Sequence, residues 1–123
     1  MIVLVCGGRD YEDYDRVADV LDEVRNSNGD NPLLLVHGDA TGTDRLARRW
    51  AKEEGVDQVV FPANWVGRDK SAGPYRNRLM LAFLRNSGKR KMVVAFPGGT
   101  GTADMIGLAK AATDIELMEV ERT

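Results

Sequence analysis

Five short apolar runs take turns with four segments of helical spacing, and that order constrains the fold more than any other feature of the chain. Ile2 to Cys6, Leu33 to His37, Val56 to Phe61 and Met92 to Phe96 read as strands, the first a continuous apolar run of the kind buried on both faces of a parallel sheet. Ile115 to Val120 is a fifth, in which Glu116 and Glu119 alternate with apolar residues as in an edge strand. Between them, Asp13 to Arg25 carries Val17, Val20, Leu21 and Val24 on one helical face. The stretch Gly38 to Asp44 opens a second helix with Leu46, Ala47, Trp50 and Ala51 together, and Gly55 ends it. Tyr75 to Arg85 reads as a third helix with Leu79, Met80 and Phe83 inward, and Ala103 to Ala112 as a fourth. The expected architecture is an α/β three-layer sandwich: one five-stranded parallel sheet, helices on both faces and right-handed crossovers.

At 123 residues the chain has the size of one domain, 1 to 123, and enough apolar content to form a core without staples. The single cysteine, Cys6, has no internal partner, and with His37 as the lone histidine no metal cluster can be assembled from the pair. Neither a metal nor a cofactor is expected. Met1 to Val5 is too short for a signal peptide or a membrane span and runs directly into a glycine turn. A cytoplasmic, soluble protein is the expectation. A formal net charge of -2 lacks the basic footprint of a dedicated nucleic-acid binder, so any site for a polyanion must be local.

One local stretch fits that description. Pro97-Gly98-Gly99-Thr100-Gly101-Thr102-Ala103-Asp104 joins the fourth strand to the fourth helix. Glycines let main-chain N–H groups converge on an anion, and the helix that follows offers unpaired N–H groups and the positive end of its dipole. Thr100 and Thr102 are candidates to cap the helix or donate a hydroxyl, and Asp104 is expected in its first turn. With strand order 3-2-1-4-5 the winding reverses between the first and fourth strands, and ligands of such sheets bind beside the reversal at the carboxyl ends. Gly7-Gly8-Arg9-Asp10 and Pro97 to Thr102 would meet there, with Gly38 to Asp44 next to them. Thr41-Gly42-Thr43-Asp44 also echoes the threonine, glycine and aspartate pattern of the later turn.

The loop after the third strand and the helix beyond it supply side chains that backbone donors lack. Trp65 suits stacking on a base, Arg68 and Lys70 suit phosphates, Arg76 suits a bidentate clamp, and Asn77 suits a ribose or a base edge. His37 and Cys6 at strand ends are read as structural. A GxGxxG after the first strand and a Walker-type lysine are both missing, which argues against dehydrogenase and P-loop chemistry. What fits is a pocket for a phosphorylated nucleoside-like ligand, with carboxylates at Asp10, Asp44 and Asp104 to hold ribose hydroxyls or to assist at an anomeric carbon.

With these residues together, the chain resembles the SLOG superfamily, the Rossmann-like grouping named after the DprA (Smf) and LOG ("Lonely guy") proteins, and within it the small YspA-like branch of bacteria and phages. The resemblance is carried by Gly7-Gly8-Arg9-Asp10-Tyr11, by His37-Gly38-Asp39-Ala40 with Thr43-Asp44 and Leu46-Ala47, and by Trp65 with Lys70, Ala72-Gly73-Pro74 and Arg76-Asn77. Pro97-Gly98-Gly99 with Gly101-Thr102-Ala103-Asp104-Met105 completes it. It implies a five-stranded core that binds nucleotides or their derivatives, commonly as a homodimer. It also implies ligand-binding roles for Gly38, Ala40, Thr43 and Gly73. LOG enzymes cleave the N-glycosidic bond of cytokinin riboside monophosphates with an arginine and a glutamate. Arg76 is similar in placement to that arginine, whereas the glutamate position falls on Met105, and Asp104 lies one residue earlier, about 100° around the helix.

Three functions are therefore in view. The first is binding of a nucleotide-like ligand with phosphate on Pro97 to Thr102 and Gly7, Gly8 and Arg9 as the opposite wall. Asp44 and Asn77 would then hold sugar hydroxyls, Trp65 would cover the base, and Lys70 and Arg76 would neutralise charge. The second is a nucleoside-phosphate N-glycosidase using Arg76 with Asp104 or Asp10. The third, single-stranded DNA binding like that of DprA, fits the acidic balance least.

Overall fold

A computed structural model describes residues 1–62 and 72–122. Its elements run β1 (Ile2–Cys6), α1 (Tyr14–Ser27), β2 (Leu34–His37), α2 (Thr43–Glu54), β3 (Asp57–Val60), α3 (Ala72–Arg85), β4 (Lys91–Ala95), α4 (Thr100–Ala111) and β5 (Glu116–Glu119). All neighbouring strands are parallel and the order across the sheet is β3-β2-β1-β4-β5, a Rossmann-like α/β fold as the alternation predicts.

Side-chain alternation along β1 builds the three layers. Val3 and Val5 point to one face and pack with Val17 and Leu21 of α1 and Ala47 and Trp50 of α2. Ile2, Leu4 and Cys6 point to the other, against Met80 and Leu84 of α3 and Met105 and Ala109 of α4. Val3 and Leu4 are wholly shielded from water, and each such side chain contributes roughly 1.5–3 kcal/mol through burial. Trp50 keeps its polar tip satisfied, since its Nε1–H donates to Asp22 Oδ1 at 2.9 Å.

Several local expectations are corrected. Helix α3 is described from Ala72 rather than Tyr75, so Gly73 and Pro74, read from sequence as loop, belong to it. Its inward residues include Met80, Leu81 and Leu84, while Leu79 and Phe83 are 44% and 36% exposed. This helix is apolar around most of its circumference, so spacing alone does not select the buried face. Helix α4 begins at Thr100, with Gly99 as N-cap, and neither Thr100 nor Thr102 provides a side-chain cap. Asp104 consequently lies past the first turn. Among the described residues no helix is long and apolar enough to cross a membrane.

Candidate functional site

The loops at the carboxyl ends of β1, β2 and β4 are stitched together by main chain. Gly8 N–H donates to Pro97 O at 2.9 Å, and Gly8 O accepts from both Thr43 N–H and Thr43 Oγ1 at 3.1 Å. The approach leaves no room for side chains at Gly42 and Gly98 among other glycines of these loops. Gly42 has φ 79°, and a Cβ there would lie 2.3 Å from Gly8 O. A Cβ on Gly98 would lie 2.2 Å from Thr102 Oγ1 and 2.7 Å from Gly8 N. Beside these contacts, where the winding of the sheet reverses, opens a cavity of about 560 Å³, within the size range of small-molecule sites.

One wall is the first turn of α4, contributed by Gly99, Thr100, Gly101 and Thr102. Ala103 N–H already donates to Gly99 O at 3.0 Å, but none of the four preceding N–H groups donates to an acceptor among the described residues. These are the orphan donors every helix start leaves, here exposed to a cavity and reinforced by the helix dipole.

Other residues of the lining carry charge. Asp44 is 6% exposed, and its Oδ2 accepts N–H groups of Gly38 at 3.1 Å and Ala40 at 3.2 Å, which closes the loop before α2 onto that helix. Burial raises its pKa above the ordinary carboxylate value, partly opposed by those two N–H groups, His37 and Arg76. No hydrogen bond reaches Asp44 Oδ1 among the described residues. Arg76 Nη1 donates to Gly38 O at 3.1 Å and Phe61 O at 3.4 Å, and burial lowers its pKa while Asp44 acts against the shift. Cys6 lines the floor, its thiol pushed up to about 12, first by burial and then by Asp44, so it is no nucleophile at neutral pH. His37 is fully buried: its Nδ1 accepts Asp39 N–H at 3.0 Å, leaving Nε2–H to donate to Gln58 Oε1 at 2.9 Å.

Of the residues singled out in the sequence, Gly7, Gly8, Arg9, Asp10, Ala40, Asp44, Gly73, Arg76, Asn77, Gly99, Thr100, Gly101, Thr102 and Asp104 surround this one cavity. Gly38, Thr43, Pro97 and Gly98 do not line it. They hold the loops instead, through the contacts of Thr43 and Pro97 with Gly8, the tight packing of Gly98, and Gly38 N–H on Asp44. Trp65 and Lys70, with Arg68, lie outside the described residues. Asn77 lines the cavity, but its side-chain N–H groups, read from sequence as sugar ligands, are engaged by Gly101 O and Asp104 Oδ2. Val5, Pro74 and Met80 are additional lining residues. Met80 sits one turn after Arg76, a spacing visible in the sequence.

A Cβ on Gly38 would fall 1.9 Å from Arg76 Nη1, so the absence of a side chain at 38 is what seats this guanidinium. Gly38→Ala is expected to displace a flexible side-chain end rather than backbone. The stability loss should be about 1 kcal/mol or less, against a loss of ligand affinity on the order of tenfold. Parallel thermal melts and calorimetric titrations check it, and a variant that binds like wild type would place Arg76 outside the ligand's reach.

A family model described as "YspA, cpYpsA-related SLOG family" matches residues 1–66. The chain is also 40% identical over 85 residues to "Gene 61 protein" of Mycobacterium phage D29. That match covers 64% of this chain and 66% of the phage protein, so the chain spans just under two thirds of that relative's length.

Proposed function

The chain belongs to the YspA, cpYpsA-related SLOG family, and from that premise we propose that its cavity binds a nucleotide or nucleotide-derived ligand, with a phosphate on the first turn of α4. The observation carrying the reading is the set of four successive N–H groups, Gly99 to Thr102, without acceptors among the described residues at the edge of a cavity of about 560 Å³. Arg9 and Arg76 line the same cavity and supply positive charge, and Arg76 is suited by its planar donor set to phosphate oxygens. Asp44 Oδ1 is the acceptor we assign to a sugar hydroxyl.

Binding is favoured over glycosidic cleavage. Met105, at the position that the resemblance assigns to a glutamate, is fully buried in the core, and Asp104 Oδ2 is already held by Asn77 Nδ2 at 3.0 Å. Calorimetric titration with adenosine, its mono- and diphosphate, ADP-ribose, a cyclic dinucleotide and a short single-stranded oligonucleotide tests the reading. A phosphorylated mononucleotide or ADP-ribose should bind on the order of tenfold or more tightly than the bare nucleoside, a difference of about 1.4 kcal/mol or more. Equal affinity for the nucleoside, or no heat with any phosphate compound, would overturn it. Release of free base from the bound nucleotide, lost in Arg76→Ala, would move the assignment to the N-glycosidase.

A further inference from the structure

Asn77 is 4% exposed, and its amide joins three groups at the rim of the cavity. Its Oδ1 accepts from Arg76 Nε at 3.3 Å, while its Nδ2 donates to Asp104 Oδ2 at 3.0 Å and to Gly101 O at 3.2 Å. Only one orientation of the amide satisfies this set: turned over, Nδ2 would meet the Nε–H of Arg76 and Oδ1 would meet a carboxylate and a carbonyl. Gly101 belongs to the turn of α4 whose N–H groups have no acceptor among the described residues, and Arg76 is the neighbour of Asn77 on α3. A single side chain therefore fixes the spacing between the two kinds of anion donor. An aspartate in its place would set a carboxylate against Asp104, and an apolar residue would take the amide donor from Asp104 Oδ2 and Gly101 O and the acceptor from Arg76 Nε at once.

We propose that Asn77 is a positioning residue: its amide braces the first turn of α4 against α3 and so holds the N–H groups of Gly99 to Thr102 and the Arg76 guanidinium at a fixed separation for the phosphate. The part concerning phosphate rests on the function proposed above. The brace itself is a property of the unliganded protein and can be read without any ligand.

The full chain is compared as wild type, Asn77→Asp and the double variant Asn77→Asp with Asp104→Asn. Two readouts are taken, titration with adenosine monophosphate and hydrogen exchange at Ala103 N–H, which donates to Gly99 O at 3.0 Å. Asn77→Asp should weaken nucleotide binding and speed Ala103 exchange, each on the order of tenfold, with the amides of β1 unchanged. The double variant should recover a large part of both losses. An amide at 104 then donates to the carboxylate at 77, and Arg76 Nε keeps an acceptor. A purely volumetric role for Asn77 would show no such recovery. Should Asn77→Asp not accumulate as folded protein, Asp104→Ala removes one acceptor of the brace from a half-buried position. It should then speed Ala103 exchange by about threefold or more. Unchanged Ala103 exchange in the variants, or a double variant no better than the single, would overturn the proposal. If wild type fails to bind the nucleotide while Ala103 exchange rises and recovers as described, the brace stands and the nucleotide reading falls.

Discussion

Gly101→Asp is expected to leave the protein as stable as wild type or more so, while lowering its affinity for a nucleoside phosphate about a hundredfold. Gly101 is exposed, is the second residue of α4, and beyond its own helix backbone no atom of the described residues lies within 4 Å of where a Cβ would stand, so the substitution meets no clash among them. Replacing glycine by aspartate inside a helix gains about 0.3 kcal/mol of propensity, and an acidic side chain in the first turn adds about 0.3–1 kcal/mol from the dipole. The feature that stabilises the helix start is the one that harms the site. A carboxylate roughly 5 Å from a phosphate, at an effective dielectric of about 20, opposes it by on the order of 3 kcal/mol. Gly101→Asn, with a similar shape and no charge, should stay within a few-fold of wild type in affinity. Thermal melting paired with titration separates the effects. Retained affinity in Gly101→Asp would mean that no anion sits on this turn.

Gly42→Ala is expected to damage the fold severely, lowering stability by about 3–5 kcal/mol. Its φ of 79° lies where a Cβ is strained, and that Cβ would meet Gly8 O at 2.3 Å and Arg9 O at 2.5 Å. Neither obstacle is a side chain that can swing away, because both oxygens belong to the loop after β1 that also accepts Thr43 N–H and Oγ1. The melting temperature should fall by roughly 10 °C or more, with nucleotide binding lost alongside because Gly8 and Arg9 line the cavity. A fall of less than about 2 °C would show that the loops are not locked as described. Gly29→Ala, at φ 64° with nothing near its would-be Cβ, isolates the cost of backbone strain alone and should be milder.

The order of the strands and the meeting of three loops were legible because continuous apolar runs separated by glycine turns admit few topologies. Turn position was legible for the same reason, since Gly98-Gly99 and Gly7-Gly8 mark where strands end. What each loop residue does was less so. Thr43 carries the same chemistry as Thr102, yet Thr43 is wholly buried on Gly8 O while Thr102 lines the cavity, a difference that depends on the crossing of two distant loops. Gly38 makes space for Arg76, 38 positions later, and no local pattern encodes that pairing. Asn77 reads from sequence as a ligand donor because a buried amide and a binding amide are the same residue; only the positions of Gly101 and Asp104 reveal a brace. On α3 the wide apolar circumference concealed that Leu84, not Leu79, faces the core.

The most direct measurement is the amide ¹⁵N–¹H spectrum of the full chain during titration with adenosine monophosphate. Saturable shifts concentrated on Gly99, Thr100, Gly101 and Thr102, with smaller ones at Gly8 and Arg9, are the expected result. Saturation that leaves those four amides unmoved, or shifts confined to the opposite edge of the sheet, would contradict a phosphate site at the start of the fourth helix.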